Sequence, residues 1–133
     1  MRSIFVAATG LRAQSGRMRV VAENLANKDS VGQTPGADPY RRRIVSFEAE
    51  MDRQLGAKVV ALDRIKDDMS EFKLKLDPGH PAADENGYVK TPNVDGLVEA
   101  MDMREAQRSY EANLNVITAS RRMIGQTLDV LRA

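Results

Sequence analysis

The 133-residue chain has no cysteine, no tryptophan and one histidine. Disulfides, thiolate metal sites and cysteine nucleophiles are therefore excluded, and the compartment stays open because both oxidising and reducing locations tolerate such a chain. Aromatic residues make up 5% of the sequence, so any core must be built from Leu, Ile, Val, Met and Ala. Neither sign of charge is in excess: 20 Lys and Arg stand against 19 Asp and Glu, a net of +1. A chain this close to neutral has no overall pull on nucleic acid or anionic lipid, and its charge opposes self-association only weakly. Long hydrophobic runs are missing too. Ile4-Phe5-Val6-Ala7-Ala8 is too short for a secretory signal and far short of the roughly 20 apolar residues of a membrane span, and Arg12 soon interrupts it. If the protein leaves the cytoplasm, it is expected to do so without a cleaved Sec signal.

What is present is periodicity at the two ends. Ile4, Leu11, Met18 and Leu25 recur every seven residues, with Ala8, Ser15 and Ala22 between them. This alternation of large and small residues predicts an amphipathic helix from Ser3 to Asn27, roughly 35 Å long. Gly10 and Gly16 weaken it by about 1 kcal/mol each relative to Ala. Met103, Tyr110, Ile117, Ile124 and Leu131 repeat the seven-residue spacing, widened by Leu114 and Leu128. They predict a second, longer helix over 96–131.

Between the helices the pattern changes. The segment 30–39 is rich in Gly and Pro and reads as loop. Tyr40 to Phe47 is expected to be extended, and Lys58–Leu62 and Phe72–Leu76 are strand candidates, the latter alternating with period two. Asp77-Pro78-Gly79-His80-Pro81 and Asp84-Glu85-Asn86-Gly87-Tyr88-Val89 read as turns. The fold class is thus α+β: residues 1–27 and 96–133 form a helical layer with coiled-coil-like pairing, and 28–95 a loop with a small β insert. A stripe half made of Ala and Ser buries little apolar area, so a lone pair of such helices gains little at about 25 cal/mol per Å². It is better satisfied among several neighbours.

Chemistry-bearing constellations are scarce. His80 lies near Asp77, Asp84 and Glu85, but among turn residues, so a metal or catalytic role is not favoured. Arg41-Arg42-Arg43 is basic, yet alternate residues of an extended segment face opposite ways and cannot all reach one phosphate backbone. Ion pairing with carboxylates of a neighbouring subunit suits them better. The glycines lack Walker spacing. No catalytic, metal or cofactor-binding residue is predicted, and no cofactor.

The segment Gly10-Leu11-Arg12-Ala13-Gln14 with Arg17 to Asn27, and above all Ala22-Glu23-Asn24-Leu25-Ala26-Asn27, resembles the signature of the flagellar rod and hook axial proteins. Thr34 to Arg42, Asp77 to Val94, and Asp102 to Asn113 narrow the resemblance to the FlgC-type proximal rod proteins. It spans nearly the whole chain. Ser30 and Ala37 depart from it, and 52–71 matches no part of it.

The resemblance implies a non-enzymatic structural subunit, exported by the flagellar type III apparatus and polymerising helically into the rod that crosses the periplasm. Its partners would be other rod subunits, the rod-base adaptor protein and further copies of itself, with no nucleic acid and no direct membrane insertion. Leu11, Met18, Leu25, Tyr110, Ile117, Ile124 and Leu128 are the expected assembly stripe. Asn24 and Asn27 are expected to cap or cross-link helix ends, and Tyr40, Arg41, Arg42 and Arg43 to make lateral contacts. The residues alone leave two alternatives open: a soluble helical-hairpin adaptor or export chaperone, and an enzyme using His80.

Overall fold

A computed structural model describes residues 2–52 and 56–132, with side chains throughout except at Glu50, Asp52, Leu62 and Asp63. Six elements follow in order: α1 (Arg2–Ala26), β1 (Arg43–Asp52), β2 (Ala57–Asp67), β3 (Lys73–Leu76), β4 (Tyr88–Thr91) and α2 (Gly96–Arg132). The protein is α+β, with two long helices at the ends and two separate two-stranded sheets, β1–β2 and β3–β4, between them. Both expected helices are present. The candidate Lys58–Leu62 lies inside β2, Phe72–Leu76 overlaps β3 from Lys73 on, the extended segment Tyr40–Phe47 enters β1 at Arg43, and β4 begins at Tyr88 and Val89, which the sequence reads as turn.

Helix ends follow local chemistry. The Leu97 amide donates to Asp95 Oδ1 at 3.0 Å, so Asp95 caps α2. At the end of α1, the Glu23 carbonyl accepts both from the Asn27 amide at 3.1 Å and from Asn27 Nδ2 at 2.9 Å.

The chain divides into two compact units, each taking a stretch of both helices. The first comprises Met1–Met18, Ser46–Arg64 and Arg104–Ala133; the second comprises Arg19–Val45 and Ile65–Met103.

In the first unit the helices run antiparallel, because contacts that step forward along α1 step backward along α2. Ser3 meets Ser120 at 3.1 Å, Gly10 lies against Asn113, and Arg17 reaches Glu105 at 3.3 Å. The buried residues are small: Ala7, Gly10, Ala13 and Ala106. A Cβ on Gly10 would sit 2.7 Å from Asn113 Nδ2, so glycine here leaves room for the Asn113 side chain against α1.

The second unit buries larger groups: Val20, Val21, Val89, Pro92 and Val94, with Ala82. Its sheet pairs β3 and β4 antiparallel, Leu74 opposite Lys90 and Leu76 opposite Tyr88. The hairpin link is closed by Asp84, whose Oδ1 accepts from the Asn86 and Tyr88 amides at 2.9 Å each. Gly87 takes φ 83° beside it, a conformation that favours glycine.

Candidate functional site

Two places carry the residues singled out from the sequence. One is a polar node in the second unit. Asn24 is 1% exposed and Glu99 0%. Asn24 Oδ1 accepts from the Tyr40 hydroxyl at 2.8 Å and from the Arg43 amide at 3.0 Å, while its Nδ2 donates to the Arg43 carbonyl at 2.8 Å. A weaker contact runs from Nδ2 to Glu99 Oε2 at 3.4 Å. Arg42 is the node's cation. Its Nε donates to Glu99 Oε1, Nη1 to Asp68 Oδ2 at 3.2 Å, and Nη2 lies 3.6 Å from Asp102 Oδ2. The Asn93 side chain fastens the same place, accepting from the Arg42 amide at 2.8 Å and donating to the Asp68 carbonyl at 3.0 Å.

A buried charge is tolerated only when paired and hydrogen-bonded, and Glu99 meets that condition through Arg42. Electrostatics follow the geometry. The Ser70 amide, then the Ser70 hydroxyl and Arg42, hold the Asp68 carboxyl below its ordinary range, against the opposing effect of burial. Burial pushes the Tyr40 hydroxyl up.

The four residues from Tyr40 to Arg43 therefore have different employment. Tyr40 and Arg42 are consumed within the unit. Arg41 lies over the Phe72 ring, 4.1 Å from its centroid, and donates to the Asp68 carbonyl at 2.9 Å. Arg43 is half-exposed, with Glu23 at 3.8 Å and Asp67 at 4.0 Å. Pairs this open are worth about 0–1 kcal/mol. Asn27 acts as a local cap, whereas Asn24 cross-links α1, the loop and α2.

The second place is the apolar stripe. In α1 the deepest positions are Ala7, Gly10, Ala13, Val20, Val21 and Asn24. Leu11, Met18 and Leu25 are each half-buried on the flank, one residue or about 100° round the helix from Gly10 and Asn24. Small residues occupy the line of closest approach because large ones would hold the backbones apart. In α2, Tyr110 and Ile117 are half-buried. Ile124 is 39% and Leu128 49% exposed, and Met123, Val130 and Leu131 are each at least two-thirds exposed. Ser3 meets Ser120, so α1 has run out by the last three turns of α2.

His80 stays local: its Nδ1 accepts from the Ala82 amide at 2.9 Å. Among the described residues no cluster of His, Cys, Asp and Glu could hold a metal ion, and no helix is long and apolar enough to cross a membrane.

A family model described as flagellar basal body rod FlgEFG protein C-terminal matches residues 85–130. The flagellar basal-body rod protein FlgC of Agrobacterium fabrum is 51% identical over 128 residues, covering 96% of this chain and 92% of that protein. The chain belongs to the FlgC family of flagellar basal-body rod proteins. The FlgC proteins of Salmonella typhimurium, 40% identical over 123 residues (92% of this chain, 91% of that protein), and Bacillus subtilis, 37% over 143 (96% and 95%), agree.

Within this FlgC-family chain, sequence reasoning missed Glu99, Asn93 and Asp68. Glu99 had a readable signal. It lies four residues before Met103 on the apolar stripe of α2, where an unpaired carboxylate would be costly. Asn93 and Asp68 lie in irregular segments and carried no periodic signal.

Proposed function

We propose that the protein is a structural subunit of the proximal rod of the bacterial flagellar basal body, polymerising helically into the drive shaft. Family membership supports the rod assignment. The observation that carries the mechanism is the bare end of α2: five large apolar side chains, Met123, Ile124, Leu128, Val130 and Leu131, all exposed in the lone chain. At about 25 cal/mol per Å², covering them contributes favourably to any assembly that packs helices there. Other rod subunits, a rod-base adaptor and further copies of the chain are the partners in this reading. The flagellar type III apparatus is its exporter. The role is structural, without catalysis, and Arg43 remains available at the surface for lateral ion pairs.

A heterologous contact that does not close generates a helical filament. Two half-satisfied helical ends suit such a contact, because neighbours of like design complete them. The test is cryo-EM of purified basal bodies together with deletion of the gene. The expected result is this chain in the rod layer with the last turns of α2 covered, and loss of the rod in the deletion strain. A complete rod in cells lacking the chain would sink the proposal.

A further inference from the structure

Two strand edges that have no second partner strand among the described residues carry opposite charge. In the first unit, the Val60 amide of β2 donates to Thr9 Oγ1 of α1 at 3.3 Å, so the outer edge of β2 lies on the helix; Asn24 takes the Arg43 amide and carbonyl at the start of β1, and the far half of β1 has no second partner strand among the described residues. In the second unit, the Tyr88 amide donates to Asp84 Oδ1 and the Tyr88 carbonyl accepts from the Asp84 amide, so the turn folds back over the start of β4. All four residues of β3 are exposed.

These strands alternate in complementary ways. β3 reads Lys73-Leu74-Lys75-Leu76, with Leu74 and Leu76 each 62% exposed. The far half of β1 reads Phe47-Glu48-Ala49-Glu50-Met51-Asp52, with Phe47 and Met51 exposed. Positions two apart share a face, so on β3 the leucines lie on the face opposite the lysines, and on β1 Phe47, Ala49 and Met51 lie on the face opposite Glu48. Exposed edges invite pairing, and charged residues decide with what. Two β3 edges together would set lysine against lysine, and two β1 edges would bring Glu48 near its own copy, which destabilises like-charged cross-strand neighbours. β3 against β1 sets the lysine row beside Glu48 and the leucines beside Phe47, Ala49 and Met51. Lys73 Nζ already donates to the Val94 carbonyl at 3.2 Å, so Lys75 is the principal donor.

We propose that β3 of one copy pairs edge to edge with β1 of a second copy of this chain, by strand addition. The contact joins two different surfaces, so it is heterologous and leaves an open edge at each end of a row of copies. It refines the rod reading above, on which it rests, by assigning a contact between copies outside the terminal helices.

Because the natural chain has no cysteine, cross-linking tests this cleanly. Phe47→Cys, Ala49→Cys and Met51→Cys are each combined with Leu74→Cys, expressed in flagellated cells, and oxidised in purified basal bodies. At least one double-cysteine chain should give dimers and higher multiples of itself, while the four single-cysteine chains give none. Lys75→Glu should abolish the multiples, and Lys75→Glu with Glu48→Lys should return them. Three outcomes overturn the proposal while the chain is present in the basal body: no multiples from any double-cysteine chain, multiples from a single-cysteine chain, or cross-links only to a different protein. Absence of the natural chain from basal bodies would instead overturn the rod reading.

Discussion

The two compact units are stabilised by different means. The first buries alanine and glycine between its helix stretches and leaves large apolar residues at the surface: Phe5, Leu114, Met123, Leu128 and Leu131. The second buries valines and encloses a paired carboxylate beneath an asparagine, an arginine and a tyrosine. Alanine burial contributes little area, so the first unit draws modest stability from itself and has much to gain from neighbours. The polar node contributes differently. Buried ionic groups add little net stability over apolar replacements, but breaking one partner is expensive. The second unit is therefore held internally by its node, although Leu74, Leu76, Leu97 and Met101 stay exposed on it, and the first has the smaller core to rely on.

Four experiments sharpen or break this contrast. Arg42→Ala should have the largest effect on the isolated protein. It strips the fully buried Glu99 of its cation and should cost about 3–5 kcal/mol, read from the urea midpoint. A loss under 1 kcal/mol would mean that the node does not hold the second unit together. Gly10→Ala tests the first unit. Helix propensity alone favours alanine by about 1 kcal/mol. The new methyl meets Asn113, which is itself tied to the Ser109 carbonyl at 3.0 Å. Overpacking should win, giving a net loss of about 1–2 kcal/mol. Asn113→Ala in the same chain should restore stability, and stabilisation by the single change would refute the close approach.

The third experiment is an acid titration. Asp68 has its carboxyl pKa lowered in the folded state, so its contribution is present above the ordinary value of 3.8 and is lost as pH falls below it. Asp68→Asn should flatten the decline of stability in that acid range and leave the slope near neutral pH unchanged. An unchanged acid slope would remove Asp68 from the node's electrostatics. The smallest effect on the lone chain belongs to Leu128→Asp, expected at about 1 kcal/mol because the side chain is half exposed and the main losses are helix propensity and an anion near the helix C-terminus. Its main consequence should appear in assembly, as loss of the chain from isolated basal bodies. Normal incorporation would mean that the bare end of α2 is not an interface.

Legibility differed along the chain for physical reasons. The helices were plain because seven-residue periodicity repeats over many turns. β3 was plain because Lys73 to Leu76 alternate strictly. β4 was hidden because Gly87 and Asp84 dominate its start, and a four-residue strand has too few residues to show a period. The repeat in α1 marked Leu11, Met18 and Leu25, which lie half-buried on the flank of the packed face. Its deepest line lies one residue earlier, because closeness of approach favours Gly10 over Leu11. The basic run from Arg41 to Arg43 looked alike residue by residue, yet the fold gives each arginine a different partner.

By itself the sequence determined the two amphipathic helices and the small insert between them, since these rest on period and composition. Tertiary structure alone decided that Asn24, Arg42, Asp68 and Glu99 meet. Pairing across many intervening residues depends on how the chain returns on itself, and no local pattern encodes that. It also decided where α1 runs out beside α2, because the offset between two helices is fixed by packing contacts such as Gly10 on Asn113 and not by either helix's own repeat.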